Sequence, residues 1–296
     1  MAALPFASNL VYFAIQRTAG GLRPGRISPV EWFKAGVQMV EWAESAGRSV
    51  EGKRFLEVGT GRMVNVPTAL WLCGAARTVT VDLNPYLSDK LVAESNQYLR
   101  QNKDEVLKLY GSKAEKTEFQ NRFDQLVNFK GGLAELLKLT GIEYHSPADA
   151  TRLSLPDGSV DFHISNTVLE RISGILREAR SVLAPGGLLV HFIDPSDHFS
   201  HDDDSITAVN FLQFDQRAWD NWAGNQFMYH NRLRSHQHLE LFERAGVRVL
   251  RHETSIDDKA FSALRNIFRL DENFKRFPPE ELAITTLDVM GAFAGA

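Results

Sequence analysis

At 296 residues, 44% of them hydrophobic, the chain can bury a sizeable core, and one α/β domain with additions is the natural count. A formal charge of -4 without a lysine or arginine cluster argues against nucleic acid as the main partner. The single cysteine, Cys73, lies in an apolar helical context, which excludes a disulfide within the chain and suits a reducing, cytoplasmic setting.

Residues 1–16 hold apolar positions but no basic leader and no long apolar run, so neither a signal peptide nor a membrane span is expected. Residues 9–15 suit a short helix, packed either over the substrate side or against a second copy in a homodimer. Gly20, Pro24 and Gly25 mark a loop. Ser28 as cap and Pro29 at the first position then begin a helix with Trp32, Val37, Val40 and Trp42 on its apolar side, stopping near Gly47.

The run Phe55-Leu56-Glu57-Val58 reads as a buried strand entering a glycine turn, Gly59-Thr60-Gly61, with a helix following over 66–72. Glycines at 59 and 61 permit positive φ and leave no Cβ between a ligand and the main chain. Glu57, at the carboxyl end of the strand, is expected to face the same crevice. The next strand, Thr78-Val79-Thr80-Val81-Asp82, also ends in an acid, placed where a carboxylate would hold a ribose diol.

Residues 87–110 and 115–139, rich in Lys, Glu, Gln and Leu, predict two long helices whose charges form a solvated face, an insertion over 86–140 that walls the pocket. Ile142-Glu143-Tyr144 is a short third strand leading to Asp149, and residues 160–166 form a fourth. Leu169, Ile172, Leu176, Ala179 and Leu183 put an apolar stripe on a helix over 167–183, which Pro185-Gly186-Gly187 ends. Asn166 either points into the cleft or caps that helix.

After the fifth strand, three histidines and five aspartates fall within residues 191–204. Asp194 and His198, nearest the strand end, and His201 are the candidate catalytic residues, since a histidine can take a proton near neutral pH while an aspartate orients it. His191 reads as a core or supporting histidine, and Asp202, Asp203 and Asp204 as turn caps. Carboxylates with histidine can also hold a divalent cation that binds a substrate diol, but no zinc spacing is present and no metal is assigned.

Residues 205–234 carry Phe211, Phe214, Trp219, Trp222, Phe227 and Tyr229, interleaved with Asn225, Arg232, Arg234 and further asparagines. This stretch reads as a lid over the acceptor, its aromatic faces and polar donors suiting a sugar, another polyol or a planar ring. Leu239 and Phe242 lie in a helix ending at Gly246. Two strands, 247–250 and 283–290, flank a helical excursion at 261–277.

In order and spacing these motifs resemble the class I S-adenosylmethionine-dependent methyltransferases. Glu57, Gly59 and Gly61 match the acid-x-Gly-x-Gly of the first motif and Asp82 the acid that ends the second strand. Pro147-Ala148-Asp149-Ala150 resembles the adenine-side segment, and residues 160–166 and 183–190 the fourth strand and the loop with the fifth. The resemblance, which covers about residues 50–195, implies a Rossmann-like α/β fold with a mostly parallel seven-stranded sheet, helices on both faces and a closing antiparallel hairpin. Its parts would be N-terminal helices (1–50), a cofactor core (51–195), a lid (196–235) and the rest of the core (236–296). It further implies S-adenosylmethionine as cofactor. Glu57, Gly59, Thr60 and Gly61 would seat its amino-acid part, Asp82 with Leu83 beside it the ribose, and Asp149 with Ala150 the adenine, while Asn166 borders the cleft.

Two positions depart from the family. Met63 replaces a third glycine, which disfavours a nicotinamide enzyme, whose pyrophosphate needs that glycine; Arg171 replaces a histidine in the triplet Leu169-Glu170-Arg171. The implied activity is methyl transfer to a hydroxyl or amine of a small molecule or glycan. The alternatives are a different S-adenosylmethionine reaction that releases methylthioadenosine, and a non-catalytic binding protein with this fold.

Overall fold

The structure is a computed structural model that describes residues 17–18, 29–168, 172–201, 203–223, 231–266 and 268–295. The expectations for residues 1–16, the loop at 20–25, Ser28, the 169–171 triplet, Asp202, Asn225, Phe227, Tyr229 and the side chain of Trp222 lie outside the described residues.

In chain order the elements are α1 (Val30–Ser45), β1 (Arg54–Val58), α2 (Asn65–Leu72), β2 (Arg77–Val81), α3 (Asp89–Gln101), α4 (Lys103–Leu109), α5 (Thr117–Val127), α6 (Leu133–Thr140), β3 (Ile142–His145), β4 (Val160–Asn166), α7 (Ile172–Val182), β5 (Leu183–Ile193), α8 (Gln216–Ala223), α9 (Ser235–Arg244), β6 (Val247–Ile256), α10 (Asp258–Asn266), α11 (Pro279–Leu282) and β7 (Ile284–Phe293). The strands form a single sheet in the order β3-β2-β1-β4-β5-β7-β6. The first five run parallel, and β7 lies antiparallel between β5 and β6. The chain moves outward from β1 to β3 and then returns to β4 on the other side of β1, so the strand order reverses at the β1/β4 boundary. In open sheets of this kind, that boundary opens a crevice at the carboxyl ends of the strands.

Both sheet faces are covered, which is why the inner strands read as apolar runs. Leu56, Val58, Val79, Leu189 and Val289 pack against α7 and α9 through Ile175, Leu176, Ala179 and Phe242. On the other face Phe55, Phe162, Ile164, Val190 and Phe192 meet α1 and α2 through Met39, Val40, Trp42, Val66 and Leu70. Phe55 and Phe162 stack at 4.6 Å between adjacent strands.

Several predicted elements are redrawn. Pro29 stands at the N-cap of α1, one position ahead of the helix, and its side chain makes no capping hydrogen bond. Trp32 is 41% exposed, while Phe33, Val37 and Val40, at helical spacing, take the buried face. The two long helices of the insertion are four, separated where Asn102 turns its Nδ2 to the Tyr98 carbonyl at 2.9 Å and where Gly131 and Gly132 precede α6. The insertion is not only a solvated wall, because Leu99, Val106, Phe119, Phe123, Leu126 and Leu136 form a core that continues onto α1 and α2. Leu183 belongs to β5, pairing with Val160 before the strand shifts register across residues 184–187 and resumes with Leu188 beside Phe162.

Three histidines are buried beneath α9: His163 on β4, His191 on β5 and His238 on α9 itself. The His163 Nδ1 and His191 Nε2 atoms lie 3.4 Å apart, and His191 Nδ1 lies 2.8 Å from Ser165 Oγ. Burial pushes His163 and His238 down to about 4 and His191 well below its ordinary value. A histidine whose folded pKa is depressed contributes full stability above its unfolded value near 6.5 and loses it as pH falls toward the folded value. Thermal unfolding should therefore show stability falling between pH 6.5 and 4, by about 1 kcal/mol per histidine at pH 5.5, and a His238→Phe variant should fall less steeply over the same range.

Candidate cofactor and acceptor site

The carboxyl ends of β1, β2 and β4 meet in register, with Val58 beside Val81 on one side and Ser165 on the other. The glycine turn leaves β1 here. Gly59 donates its N–H to the Val81 carbonyl at 2.8 Å, and Gly61 donates to Asp82 Oδ2 at 2.8 Å. Asp82 Oδ1 accepts from the Asn84 N–H at 2.9 Å, so one carboxylate holds the turn after β1 and the loop after β2 together. Burial raises the Asp82 pKa, opposed by these two backbone donors and by the Arg62 charge. Arg62 itself lies over the Tyr86 ring, 4.6 Å from its centre.

Both glycines have positive φ, +86° at Gly59 and +65° at Gly61, but their surroundings differ. A Cβ on Gly59 would meet the Val168 methyls at 2.5 Å, whereas one on Gly61 would meet nothing within 4 Å. Gly61 therefore opens on the crevice and Gly59 is closed against the segment after β4. Met63, where a third glycine is absent, is buried.

Glu57 corrects the sequence reading. Its side chain is buried and does not face the crevice; Thr80, its neighbour across the β1/β2 register, donates its hydroxyl to Glu57 Oε2, and Thr60 Oγ1 lies 2.6 Å from Thr80 Oγ1. Burial raises the Glu57 pKa to about 8, with Thr80 acting against it and the Asp82 charge adding to it. At neutral pH the group is thus mainly a neutral acid that braces the turn from behind. Thr60 and Thr80 complete this brace. Thr80 was missed in the sequence, although its place as fourth residue of β2, opposite the fourth residue of β1, is the signal that could have found it.

Two of the remaining positions, Leu83 and the 148–150 segment, adjoin Asp82. Leu83, next in sequence, is 53% exposed. Ala148 donates its N–H to the Asp82 carbonyl at 2.8 Å, which brings the 148–150 segment alongside. Asp149 Oδ1 accepts from the Thr151 N–H and hydroxyl at 2.9 and 2.7 Å, while Ala150 is buried in the core. Asn166 ends β4 beside Phe192, and Thr167, with φ of +62°, donates its N–H to the Phe192 carbonyl. Asn166 does not stand at a helix start, since Thr167 and Val168, which follow it, are not helical.

Past β5, Asp194 Oδ2 lies 3.3 Å from His201 Nε2 and 3.8 Å from His198 Nε2, and the two imidazoles stack at 5.4 Å. Ser196 donates its N–H to Asp194 Oδ1, and its Oγ lies 3.2 Å from His201 Nε2. Burial acts to raise the Asp194 pKa, but hydrogen bonds from His201 and Ser196 and the nearby His198 outweigh it and hold the group at about 2. The three predicted catalytic residues are therefore brought together, and Ser196 joins them. Asp203 binds Ser205 in a local turn, as expected of a cap. Among the described residues, no group of three or more His, Cys, Asp or Glu side chains is placed to hold a metal.

In the aromatic insertion the described aromatics pack inward. Phe211 and Trp219 are buried with Val209, Leu212, Phe274 and Leu282, a core shared with α10 and α11. Arg232 donates to the carbonyls of Phe211 and Phe214 and to Gln216 Oε1, and the fully buried Arg234 donates to the carbonyls of Pro195, Arg232 and Leu282. These guanidiniums hold the segment to the rest of the chain.

Residues 132–191, from α6 through most of β5, match the family described as the methyltransferase domain. The match spans the returning strands β4 and β5, and the strand order with antiparallel β7 agrees with it. The chain carries a class I methyltransferase fold. Solved structures similar to it include an S-adenosylmethionine-dependent methyltransferase from Mesorhizobium loti, with 16% identity over 85% of this chain and 97% of the other and a TM-score of 0.44. A geranyl diphosphate methyltransferase in complex with S-adenosylmethionine shares 10% identity over 88% and 85% of the two chains, with a TM-score of 0.47. The cyclase SpnF shares 15% identity over 93% and 85%, with a TM-score of 0.45. No curated protein matches the sequence.

The crevice has the features that S-adenosylmethionine requires. Gly61 leaves the main chain bare where a ligand can lie, and each Asp82 oxygen, with one backbone donor, keeps a lone pair for a hydroxyl.

Gly59→Ala should lower stability by about 3 kcal/mol, combining left-handed strain with overlap on Val168, and Gly61→Ala by about 1 kcal/mol, from strain alone; urea unfolding of the two variants checks the order. Glu57→Gln should cost less than about 1 kcal/mol at pH 7, because the native acid is already neutral and the amide oxygen still accepts from Thr80. The raised pKa of Glu57 makes its contribution fullest below the unfolded value near 4.5 and lost as pH rises toward about 8, so the variant should also remove that part of the pH slope.

Proposed function

We propose that this methyltransferase domain binds S-adenosylmethionine across the Gly59–Gly61 turn and transfers its methyl group to a hydroxyl or amine of a small molecule or glycan. The observation that carries this reading is the hydrogen bond between the Gly61 N–H and Asp82 at the reversal point of the sheet. Gly61 offers main chain to the amino-acid part of the cofactor, with Gly59 shaping the turn and Thr60 and Glu57 supporting it from behind. Asp82 accepts the ribose hydroxyls, Leu83 offers an exposed apolar face, Asp149 and Ala150 border the adenine, and Asn166 borders the methyl end. The bound cofactor supplies an electrophilic methyl on its sulfonium. The chain then has to align the acceptor and receive its proton.

The proton falls to the Asp194 cluster. Asp194 stays ionised, so its carboxylate orients the His201 Nε2–H and leaves Nδ1 as the basic nitrogen, while His198 stacks alongside. A lone cysteine, raised to about 12 by burial ahead of its charged neighbours, suits a reducing cytoplasm. Among the described residues no helix is long and apolar enough to cross a membrane.

Isothermal titration should give micromolar binding of S-adenosylmethionine to the wild-type protein, and Asp82→Ala should weaken it at least about tenfold. With an acceptor of the proposed class, the product should be S-adenosylhomocysteine, and His201→Asn should lower kcat about 100-fold or more with cofactor affinity unchanged. Release of methylthioadenosine would replace methyl transfer with another reaction of the same cofactor. Absence of binding by the folded protein would remove the enzyme reading.

A further inference from the structure

At the opposite end of the sheet from the glycine turn lies a cleft of about 750 Å³. Its floor is the α1-side face of β5, β7 and β6, where Leu188, Met290 and the 41% exposed Leu250 lie, and one wall is the end of α1. The volume is within the usual range of small-molecule sites.

Three guanidiniums line this apolar floor: Arg48 from the segment after α1, and Arg248 and Arg251 from β6. No aspartate or glutamate is among the lining residues. Arg251 is held in place, bonded to Glu253 at 3.0 Å through Nε and packed over the Trp42 ring at 4.3 Å. The Arg48 and Arg248 side chains have no ion pair or hydrogen-bond partner among the described residues. Arg48 reaches the cleft across Gly186, where a Cβ would come within 3.0 Å of its guanidinium; φ there is +72°. In a chain of formal charge -4, two cations without an ion pair, Arg48 and Arg248, beside one concave apolar surface make a local positive field, and planar guanidiniums match carboxylate or phosphate oxygens two at a time.

We propose that this cleft is a second ligand site, distinct from the cofactor crevice, for a soluble amphiphilic anion: a single hydrocarbon chain or ring on Leu188, Leu250 and Met290, with a carboxylate or phosphate monoester headgroup between Arg48 and Arg248. The apolar part alone has an open, shallow surface, and the headgroup alone competes with water. Binding therefore requires both parts in one molecule.

The test is calorimetric titration of the full chain with decyl phosphate and decanoate below their micellar concentrations, beside decyl maltoside, inorganic phosphate and phosphatidylglycerol vesicles. Decyl phosphate or decanoate should bind at least about tenfold more tightly than the neutral amphiphile or phosphate alone, and their ratio identifies the preferred headgroup. The Arg48→Ala/Arg248→Ala variant should lose that binding at least tenfold while keeping its melting temperature and its S-adenosylmethionine affinity. A single Leu250→Asn variant should weaken the same binding without touching the charges. The proposal is overturned if neither anion binds, if the neutral amphiphile binds equally well, if the double variant binds like the wild type, or if only vesicles bind, which would make the face a membrane contact.

Discussion

The turn after β1 depends on a carboxylate that belongs to another strand. Asp82 receives the Gly61 N–H at 2.8 Å, and through it the end of β2 fixes where the main chain of the turn lies. Behind the same turn, Thr60, Thr80 and Glu57 form a buried polar chain that crosses from β1 to β2. A buried polar network of this kind stabilises only when its members are satisfied together. The glycines can thus be held in left-handed geometry in front of an acid kept neutral by its own burial, and the surface offered to a ligand is main chain on a rigid support.

Around that junction the sheet supplies reach. β1, β2 and β4 present the turn, Asp82 and Asn166 side by side, and β5 carries the chain out to the Asp194, His198 and His201 cluster. Ionised Asp194 and neutral Glu57 show how environment divides two carboxyl groups of one fold: hydrogen bonds from His201 and Ser196 hold the first down, and desolvation raises the second. Farther out, the buried Arg232 and Arg234 bond backbone carbonyls and anchor the aromatic segment near residue 195. Closing this side of the site is therefore a matter of packing, with Phe211 and Trp219 inside a core of their own.

The parts legible in the sequence are those that local pattern decides. Phe55 to Gly61 could be read as strand and turn because burial on both faces needs an unbroken apolar run and the turn needs glycine. The stripe on α7 was legible for the same reason, with Ile172, Leu176 and Ala179 all buried. What escaped is set by partners distant in sequence. Glu57 turns inward because Thr80 lies opposite it, and that pairing exists only once β1 and β2 are in register. Arg234 looked like a surface donor because charged side chains are seldom fully buried, and its burial is met by carbonyls at Pro195 and Leu282. The breaks in the insertion were written in Asn102, Gly131 and Gly132, but the summed helix propensity of the flanking residues outweighed them in a reading by composition.

The account rests on the cofactor lying across the Gly59–Gly61 turn with its ribose on Asp82. A crystal structure of the protein grown with S-adenosylhomocysteine tests this most directly. The account expects the ligand's ribose hydroxyls within hydrogen-bond distance of the Asp82 carboxylate, its amino-acid part against the Gly61 main chain, and Glu57 still buried against Thr80. Ligand density elsewhere on the sheet, or Glu57 turned out to contact the ligand, would contradict it.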